Sequence, residues 1–371
     1  MKVGITGQNG FVGKHLYNTL GLNPSEFELV EFNKMAFEDD VMLDKFVQYC
    51  DVIVHLAAMN RHESEKFIYD TNVGLVDKLI TSLERTNSKP HVFISSSTQE
   101  ERDNLYGKSK KEGREKLVEW AERNGAKLTG LLIPNVFGPF GKPFYNSFIA
   151  TFCYQFTHSE TPTIANDGTV NLIYVQELVN DIIDQIRKST HQPIYLVKPT
   201  AIKKVSDVLD KLESFKIKYF DKGEIPELED QFELNLFNTY RSYMDHKDIY
   251  PRLFQLHTDP RGTFVEIIRM GIGGQSSYST TVPGITRGNH FHTRKIERFA
   301  VIQGKALIQL RKMDSNETLD FYLDGNKPSY VDMPIWFTHN IKNVGTEELI
   351  TMFWINEPYD PADPDTYFLE V

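Results

Sequence analysis

Apolar residues in the first half of the chain come in short runs separated by amphipathic stretches. The runs are KVGITG, FELVEF, DVIVHLAA, HVFISSS and LTGLLIPNVFG. Between them, over 41–50, 71–86 and 107–124, apolar residues recur three and four apart, as in Val73, Val76, Leu79, Ile80 and Leu83. That is the period of a helix with one buried stripe. Alternation of strand and helix predicts an α/β, doubly wound parallel sheet with helices on both faces. Further helices are expected over 173–187 and 203–219, and the acidic, aromatic stretch 224–250 reads as an irregular or helical connector. After Pro251 the pattern changes: LFQLHTDPRGTFVEIIR, RFAVIQGKALIQLRK, LDFYLDGNKPSYVDMP and LITMFWIN alternate and are broken by turns. Such a density of short strands predicts an all-β barrel or jelly roll. At 371 residues the chain exceeds the roughly 250–300 at which a single core usually stops growing. Two domains are expected, 1–245 and 252–371.

Composition narrows the class. A net charge of -10 repels polyanions, and no basic stripe offsets it, so no nucleic acid partner is expected. An anionic small ligand is still compatible, because a helix N-terminus can hold phosphate against an unfavourable net charge. Mean hydropathy is -0.39 and no apolar run reaches membrane length; a cytoplasmic protein with no membrane contact is expected. The two cysteines, Cys50 and Cys153, form no CxxC pair, and MKVGITG already reads as a strand. Neither a disulfide framework nor a secretion signal is expected.

Gly7, Gly10 and Gly13 form GxxGxxG directly after the first strand and at the start of a helix. There glycine lets the backbone approach a pyrophosphate held by helix-end N–H groups. Tyr106 and Lys110 stand four apart in YGKSK, behind the hydroxyl run Ser95, Ser96, Ser97 and Thr98. At that spacing both side chains share one helix face. Hydride delivery to a carbonyl builds oxyanion character, which a phenol can protonate if a nearby ammonium lowers its pKa. A serine from the adjoining strand can orient the carbonyl oxygen.

Together with HLAA at 55–58 and Asn72-Val73, these motifs resemble the extended branch of the short-chain dehydrogenase/reductase family, with its Rossmann-like sheet. The resemblance implies a catalytic trio of Ser97, Tyr106 and Lys110, with Ser96 as the alternative register of the serine. It implies cofactor contacts from Gly7, Gly10, Phe11, Val12 and Gly13, from Leu56, Ala57 and Ala58, and from Tyr106 and Lys110. At the end of the second strand an acid would accept from a ribose 2′-OH, whereas a cation would pair with a 2′-phosphate. Asn33 and Lys34 at that turn point to NADPH; Glu31, two residues earlier, would suit NADH instead. PNVFG at 134–138 resembles the loop that contacts nicotinamide and substrate diphosphate in nucleotide-sugar members, with Asn135 as the substrate contact. Ile133 stands where those members often carry a basic residue. NLIYVQELV at 171–179 resembles a later family segment, with Gln176 and Glu177 in place of its acid pair.

The second half carries GITRGNHFHTRKIERFAVIQG, in which Gly284, His290, His292, Glu297 and Gly304 keep the spacing G-x5-HxH-x4-E-x6-G. Two histidines two apart on a strand point to one face, and Glu297 and His339 can complete a site of three nitrogens and one oxygen. This spacing resembles the first motif of the cupins. A second motif follows at Pro334, His339 and Asn343, with Trp336 where glycine is usual. Imidazole and carboxylate ligands suit one divalent metal, zinc above all, though the set does not choose among Zn, Fe, Mn, Ni and Cu. A cupin that has lost its metal is the alternative. DPRGTFVEI at 259–267 and ITRGNHFH at 285–292 also resemble dTDP-sugar 3,5-epimerases, metal-free cupins in which a histidine at the His290 position removes a proton beside a ketone.

The two modules in one chain, with CYQF at 153–156 and the tail DPDTYFLEV, resemble bifunctional enzymes of capsular polysaccharide synthesis. The resemblance implies a UDP-linked 4-keto-6-deoxy amino sugar as substrate. The cupin would epimerise C3 of a UDP-2-acetamido-2,6-dideoxy-4-hexulose, and the reductase would reduce the C4 ketone with NADPH. The product would be UDP-2-acetamido-2,6-dideoxy-L-talose, toward UDP-N-acetyl-L-fucosamine. Both modules commonly pair, so a homodimer is expected. The rival readings are a single-activity NADPH reductase whose cupin only dimerises or senses, and a nucleotide-sugar epimerase or dehydratase that recycles bound NAD.

Overall fold

The computed structural model describes the backbone of residues 1–259, 262–265, 267–268, 270, 273–357 and 360–371. Two compact units divide the chain, one formed by 1–151 and 164–207, the other by 152–163 and 208–371.

The first unit opens with β1 (Lys2–Thr6), α1 (Phe11–Gly21), β2 (Glu28–Val30), α2 (Asp40–Tyr49), β3 (Val52–His55), α3 (Glu65–Arg85), β4 (His91–Ser97), α4 (Leu105–Asn124) and β5 (Leu128–Ile133). β6 (Asn135–Phe137), α5 (Phe148–Thr157), which passes into the second unit from Phe152, β7 (Thr169–Tyr174), α6 (Val175–Lys188), β8 (Gln192–Leu196) and β9 (Ala201–Lys204) follow. Six strands form one sheet in the order β2-β1-β3-β4-β5-β8, every pair parallel. Alternate residues of a strand face opposite sides of its sheet, and both sides are apolar here. Val52, Val54 and Phe93 pack with Leu16, Leu20, Leu178 and Ile182 of α1 and α6. Ile53, Val92 and Ile94 pack with Leu43, Phe46, Leu79, Leu117 and Trp120 of α2, α3 and α4. The doubly wound α/β sheet read from the alternation is the fold observed.

Helix ends follow local chemistry. α2 begins where Asp39 accepts from the Val41 and Met42 amides. α4 begins where Asn104 accepts from the Gly107 amide at 2.7 Å and ends at Gly125, whose φ of 61° suits glycine at a helix C-terminus. The stretch expected as one helix from 173 is a strand through Tyr174, and α6 starts only at Val175. Glu177 accepts from the Tyr174 amide there and stops the strand. PNVFG, expected as a loop, contains the short strand β6, which pairs with β7.

The second unit contains α7 (Val205–Phe215), whose first turn belongs to the first unit, and a π-helical turn at Lys216–Asp221. α8 (Gln231–Arg241), α9 (His246–Ile249), β10 (Arg252–Leu253), β11 (Leu256–Asp259), β12 (Gly262–Val265), β13 (Gln275–Thr281), β14 (Thr286–Phe291) and β15 (Glu297–Gln303) come next. β16 (Lys305–Lys312), β17 (Thr318–Asp324), β18 (Ser329–Met333), β19 (Phe337–Asn343), β20 (Leu349–Ile355) and β21 (Tyr367–Phe368) complete it. Two five-stranded sheets, β10-β18-β15-β20-β13 and β17-β16-β19-β14-β21, are antiparallel throughout, the cupin-like barrel expected. β11 and β12 form a separate hairpin; Pro260, Arg261 and Glu266 of the epimerase-like segment lie outside the described residues.

Packing places 208–250 with the strands. The Arg298 guanidinium forks onto Asp332 at 2.7 and 3.0 Å, the Tyr219 hydroxyl donates to the same carboxylate at 2.5 Å, and Arg241 of α8 donates to Tyr219 and to the Met333 carbonyl. Arg298 and Asp332 are 3% and 1% exposed. Isolated charges so deep would be expensive, and pairing with full hydrogen bonding is what makes them tolerable. The change of sequence texture at Pro251 and the change of packing partner at Val208 are therefore different boundaries.

Candidate functional site

The nucleotide loop is shaped by contacts that leave no room for side chains. Gly7 has φ of +78°, and a Cβ there would stand 2.8 Å from the Ala57 nitrogen; a Cβ on Gly13 would stand 2.2 Å from the Gly7 carbonyl oxygen. Gly10 is the N-cap of α1 with no side-chain cap, and the first turn carries no acid. Helix-end N–H groups lack intrahelical partners and carry partial positive charge, so the amides of Phe11, Val12 and Gly13 can receive a phosphate. Past β3, Leu56 and Ala57 are fixed to the end of β1, just before this loop: their amides donate to the Thr6 carbonyl at 3.0 Å and the Thr6 hydroxyl at 3.4 Å. Asn72 grips the next turn, exchanging hydrogen bonds with the Met59 backbone and donating to Ser109 of α4. A small cavity is lined by His55, Ala57, Ala58, Asn72, Ser95 and Lys110.

At the end of β2 the Asn33 side chain accepts from the Met35 amide, capping a 3-10 turn at Lys34–Glu38. Lys34 and Glu31 are both exposed. Gln8 in the glycine loop accepts from the Phe32 amide at 3.2 Å, which holds this turn beside the nucleotide loop. Asn135 is exposed on β6 and donates to the Asn171 carbonyl.

The hydroxyl run divides its work. Ser96 donates to Glu100, and Glu100 is gripped by Arg114 at 2.8 and 2.7 Å; the side chains of that ion pair are 7% and 3% exposed. Ser97 accepts from the Gln99 amide at 3.1 Å. Burial pushes the Tyr106 phenol up to about 12, Tyr145 adds to the rise, and a Ser97 hydrogen bond pulls it back. Of the two registers, Ser97 touches the tyrosine and Ser96 is committed to the ion pair behind it. Lys110 donates to the Ser95 carbonyl at 3.0 Å, and burial pushes its pKa down to about 8 against the pull of Glu100. The expectation that Lys110 lowers the Tyr106 pKa differs from this arrangement: the groups that move the phenol are the protein interior, Tyr145 and Ser97.

In the strand-rich unit four side chains converge between the sheets. His290 on β14 sits opposite His339 on β19, His292 follows β14, and Glu297 opens β15 on the other sheet. One donor atom from each lies within 4.8 Å of all the others. Nε2 of His292 and of His339 stand 3.0 and 3.3 Å from Oε2 of Glu297. None of these three buried atoms makes a hydrogen bond of acceptable geometry among the described residues. Donor atoms so close together could all reach a single cation, with room for an open position. Burial works against the Glu297 carboxylate, but His292 and then His339 outweigh it and hold its pKa well below the usual range. Burial pushes His290 down to about 4, helped by His339 and His292.

Outer contacts orient these ligands. His292 Nδ1 lies against the Asp365 carbonyl and His339 Nδ1 against the Phe337 carbonyl at 3.3 Å. The Trp336 amide donates to the His292 carbonyl at 2.8 Å. Where glycine is usual Trp336 keeps a left-handed φ of 61°, stacked on Phe291 at 5.6 Å. Asp365, Glu100 and Arg114 were not singled out from the sequence; an acid in a polar tail and a charged pair 14 residues apart carry no local pattern.

Fold and site together define a nucleotide-binding unit joined to a β-barrel with a ligand-converging centre. Residues 3–197 match the NAD dependent epimerase/dehydratase family, and the chain belongs to it. Residues 257–367 match the polysaccharide biosynthesis C-terminal domain. A UDP-2-acetamido-2,6-beta-L-arabino-hexul-4-ose reductase of Pseudomonas aeruginosa is 32% identical, over 100% of this chain and 99% of the relative. The crystal structure of the capsular polysaccharide assembling protein CapF from Staphylococcus aureus is 35% identical, covers 100% of both chains and superposes with a TM-score of 0.63. The expected likeness to capsular polysaccharide enzymes is borne out. The spore coat polysaccharide biosynthesis protein SpsL of Bacillus subtilis is 27% identical over 29% of this chain. Among the described residues no helix is long and apolar enough to cross a membrane.

Proposed function

We propose that the chain is a bifunctional UDP-sugar enzyme: its barrel epimerises C3 of a UDP-2-acetamido-2,6-dideoxy-4-hexulose, and its α/β unit then reduces the C4 ketone with NADPH. The product is UDP-2-acetamido-2,6-dideoxy-L-talose, on the way to UDP-N-acetyl-L-fucosamine for a surface polysaccharide. The observation that carries this reading is similarity along the whole chain to a protein described as a reductase of such a hexulose.

In the reductase, the amides after Gly7 and Gly10 hold the pyrophosphate, Leu56 to Ala58 line the adenosine side, and Lys34 beside Asn33 meets a 2′-phosphate. NADPH would supply the hydride. Tyr106, protonated throughout the physiological range, gives its proton to the ketone oxygen while Ser97 orients that oxygen and Lys110 keeps positive charge beneath it. Asn135 contacts the substrate. In the barrel, His290, His292, Glu297 and His339 hold one divalent ion, most simply zinc. Bound there, the ion would supply a Lewis acid toward a sugar oxygen. The C3 hydrogen is acidic only while the C4 carbonyl exists, so epimerisation precedes reduction. The reading carries with it a cytoplasmic, two-copy enzyme, checked by fractionation and light scattering.

The test is to incubate the chain with the UDP-4-hexulose in deuterated water, with and without NADPH. Deuterium at C3 without NADPH, and one NADPH oxidised per ketone lost, are expected. Reduction with no exchange would favour the single-activity reductase, and turnover with no net NADPH consumption would favour an enzyme that recycles NAD.

A further inference from the structure

His292 and Glu297 are joined by the short segment Thr293–Ile296, and the C-terminal tail grips it. The Asp365 carboxylate accepts from three consecutive backbone amides, Thr293, Arg294 and Lys295, each at 3.0 Å, and from the Thr293 hydroxyl at 2.6 Å. The Asp365 carbonyl faces His292 Nδ1, and the Lys295 ammonium donates to the neighbouring Pro364 carbonyl at 2.8 Å. Asp365 is 2% exposed and holds φ of 42°, a left-handed conformation that residues with a side chain adopt only where surrounding contacts hold it. A buried carboxylate satisfied by successive amides fixes the path of the loop it binds. Here that loop sets the separation of two donors on different sheets. The Asp365 carbonyl, accepting from His292 Nδ1, also leaves Nε2 as the lone-pair donor.

We propose that Asp365 is the positioning residue of the barrel's metal centre: the tail, folded onto the 293–295 loop, aims His292 and Glu297 at the ion without touching it. This rests on the metal-binding reading above. Outer contacts of this kind are typically worth ten- to hundredfold in metal affinity.

The experiment uses the full chain, stripped with a chelator and titrated with Co(II) in competition with a chromophoric chelator. The visible d–d spectrum reports ligand geometry. Asp365→Ala is expected to bind Co(II) ten- to hundredfold more weakly with a displaced spectrum, and Asp365→Asn, which keeps one acceptor oxygen, to fall between it and the parent. Arg311→Ala, which frees the tail only at the Glu370 carbonyl, should match the parent. Parental affinity and spectrum in Asp365→Ala would overturn the proposal while leaving the metal reading intact. Failure of the parent to give a d–d spectrum would bring down both. Should Asp365→Ala not fold, Asp365→Asn against Arg311→Ala decides, and equality of those two overturns the role.

Discussion

In the α/β unit the candidate groups are spread over the ends of β1, β3 and β4, the first turn of α1 and the first two turns of α4, and several are tied to their own scaffold. Lys110 holds the Ser95 carbonyl, Thr6 holds His55, and Ser97 holds the Gln99 amide. In the barrel, four side chains from two sheets bring their donor atoms within 4.8 Å of one another, and among the described residues Nε2 of His292, Nε2 of His339 and Oε2 of Glu297 meet no partner outside this cluster. The first arrangement suits a long ligand that touches many loops, each contact small. The second suits a point charge that every donor reaches at once. The difference also lies in what surrounds each: loops shaped by glycine in one, rigid ladders and a clamped tail in the other.

The largest expected effect separates the two. Tyr106→Phe should slow NADPH oxidation by about 10²–10⁴-fold, the range for loss of a general acid, and leave C3 exchange unchanged. His339→Ala should do the reverse, abolishing exchange and metal content while NADPH binding, followed by fluorescence titration, stays as in the parent. A Tyr106→Phe enzyme that also lost exchange would break the division of labour.

Among the described residues each unit hides one buried arginine–carboxylate fork, Arg114 with Glu100 and Arg298 with Asp332. Removing one partner strands a charge, at a cost of about 3–5 kcal/mol. Glu100→Ala should therefore lower the unfolding transition of the α/β unit, and Asp332→Ala that of the barrel, resolved as separate transitions by calorimetry with and without NADPH or zinc. If both variants lowered both transitions equally, the units would not be energetically distinct.

Acidity gives a third separation. Lys110 titrates near 8, so it loses its charge as pH rises, and kcat/KM for reduction, which reports the free enzyme, should fall about tenfold per pH unit above that value. Tyr106, held near 12, stays protonated and adds no limb in this window. Lys110→Arg should move the limb beyond pH 10 in whatever activity it keeps. The smallest effect belongs to Lys34: an exposed ion pair is worth roughly 0.2–1 kcal/mol, so Lys34→Ala should raise the KM for NADPH only a few-fold and leave that for NADH alone.

Legibility in the sequence followed the range of the signal. The parallel sheet was readable because both faces of each strand are apolar, and the helices over α2 to α4 because their stripes recur. Strand β7 was not, since its last apolar residues, Leu172 to Tyr174, merge with the stripe of α6 and only the Glu177 cap divides them. The His290, His292, Glu297 and His339 set is written as spacing within two short motifs. What holds it in place is not: Asp365 lies over 70 residues from the loop it binds, and Glu100 meets Arg114 only once α4 has packed. Side chains that act through backbone amides leave no periodicity to find.

Trp336 has an optical consequence. Of the three tryptophans in the chain, Trp120 is buried in the α/β core against α3, whereas Trp336 is bonded through its backbone to His292 and lies three residues from His339. Its emission should register any ion entering the barrel, through quenching by Co(II) or Cu(II) and a smaller spectral shift with zinc. Occupancy of the barrel can then be followed in the unmodified protein, against a Trp336→Phe control whose residual signal comes from Trp120 and Trp354.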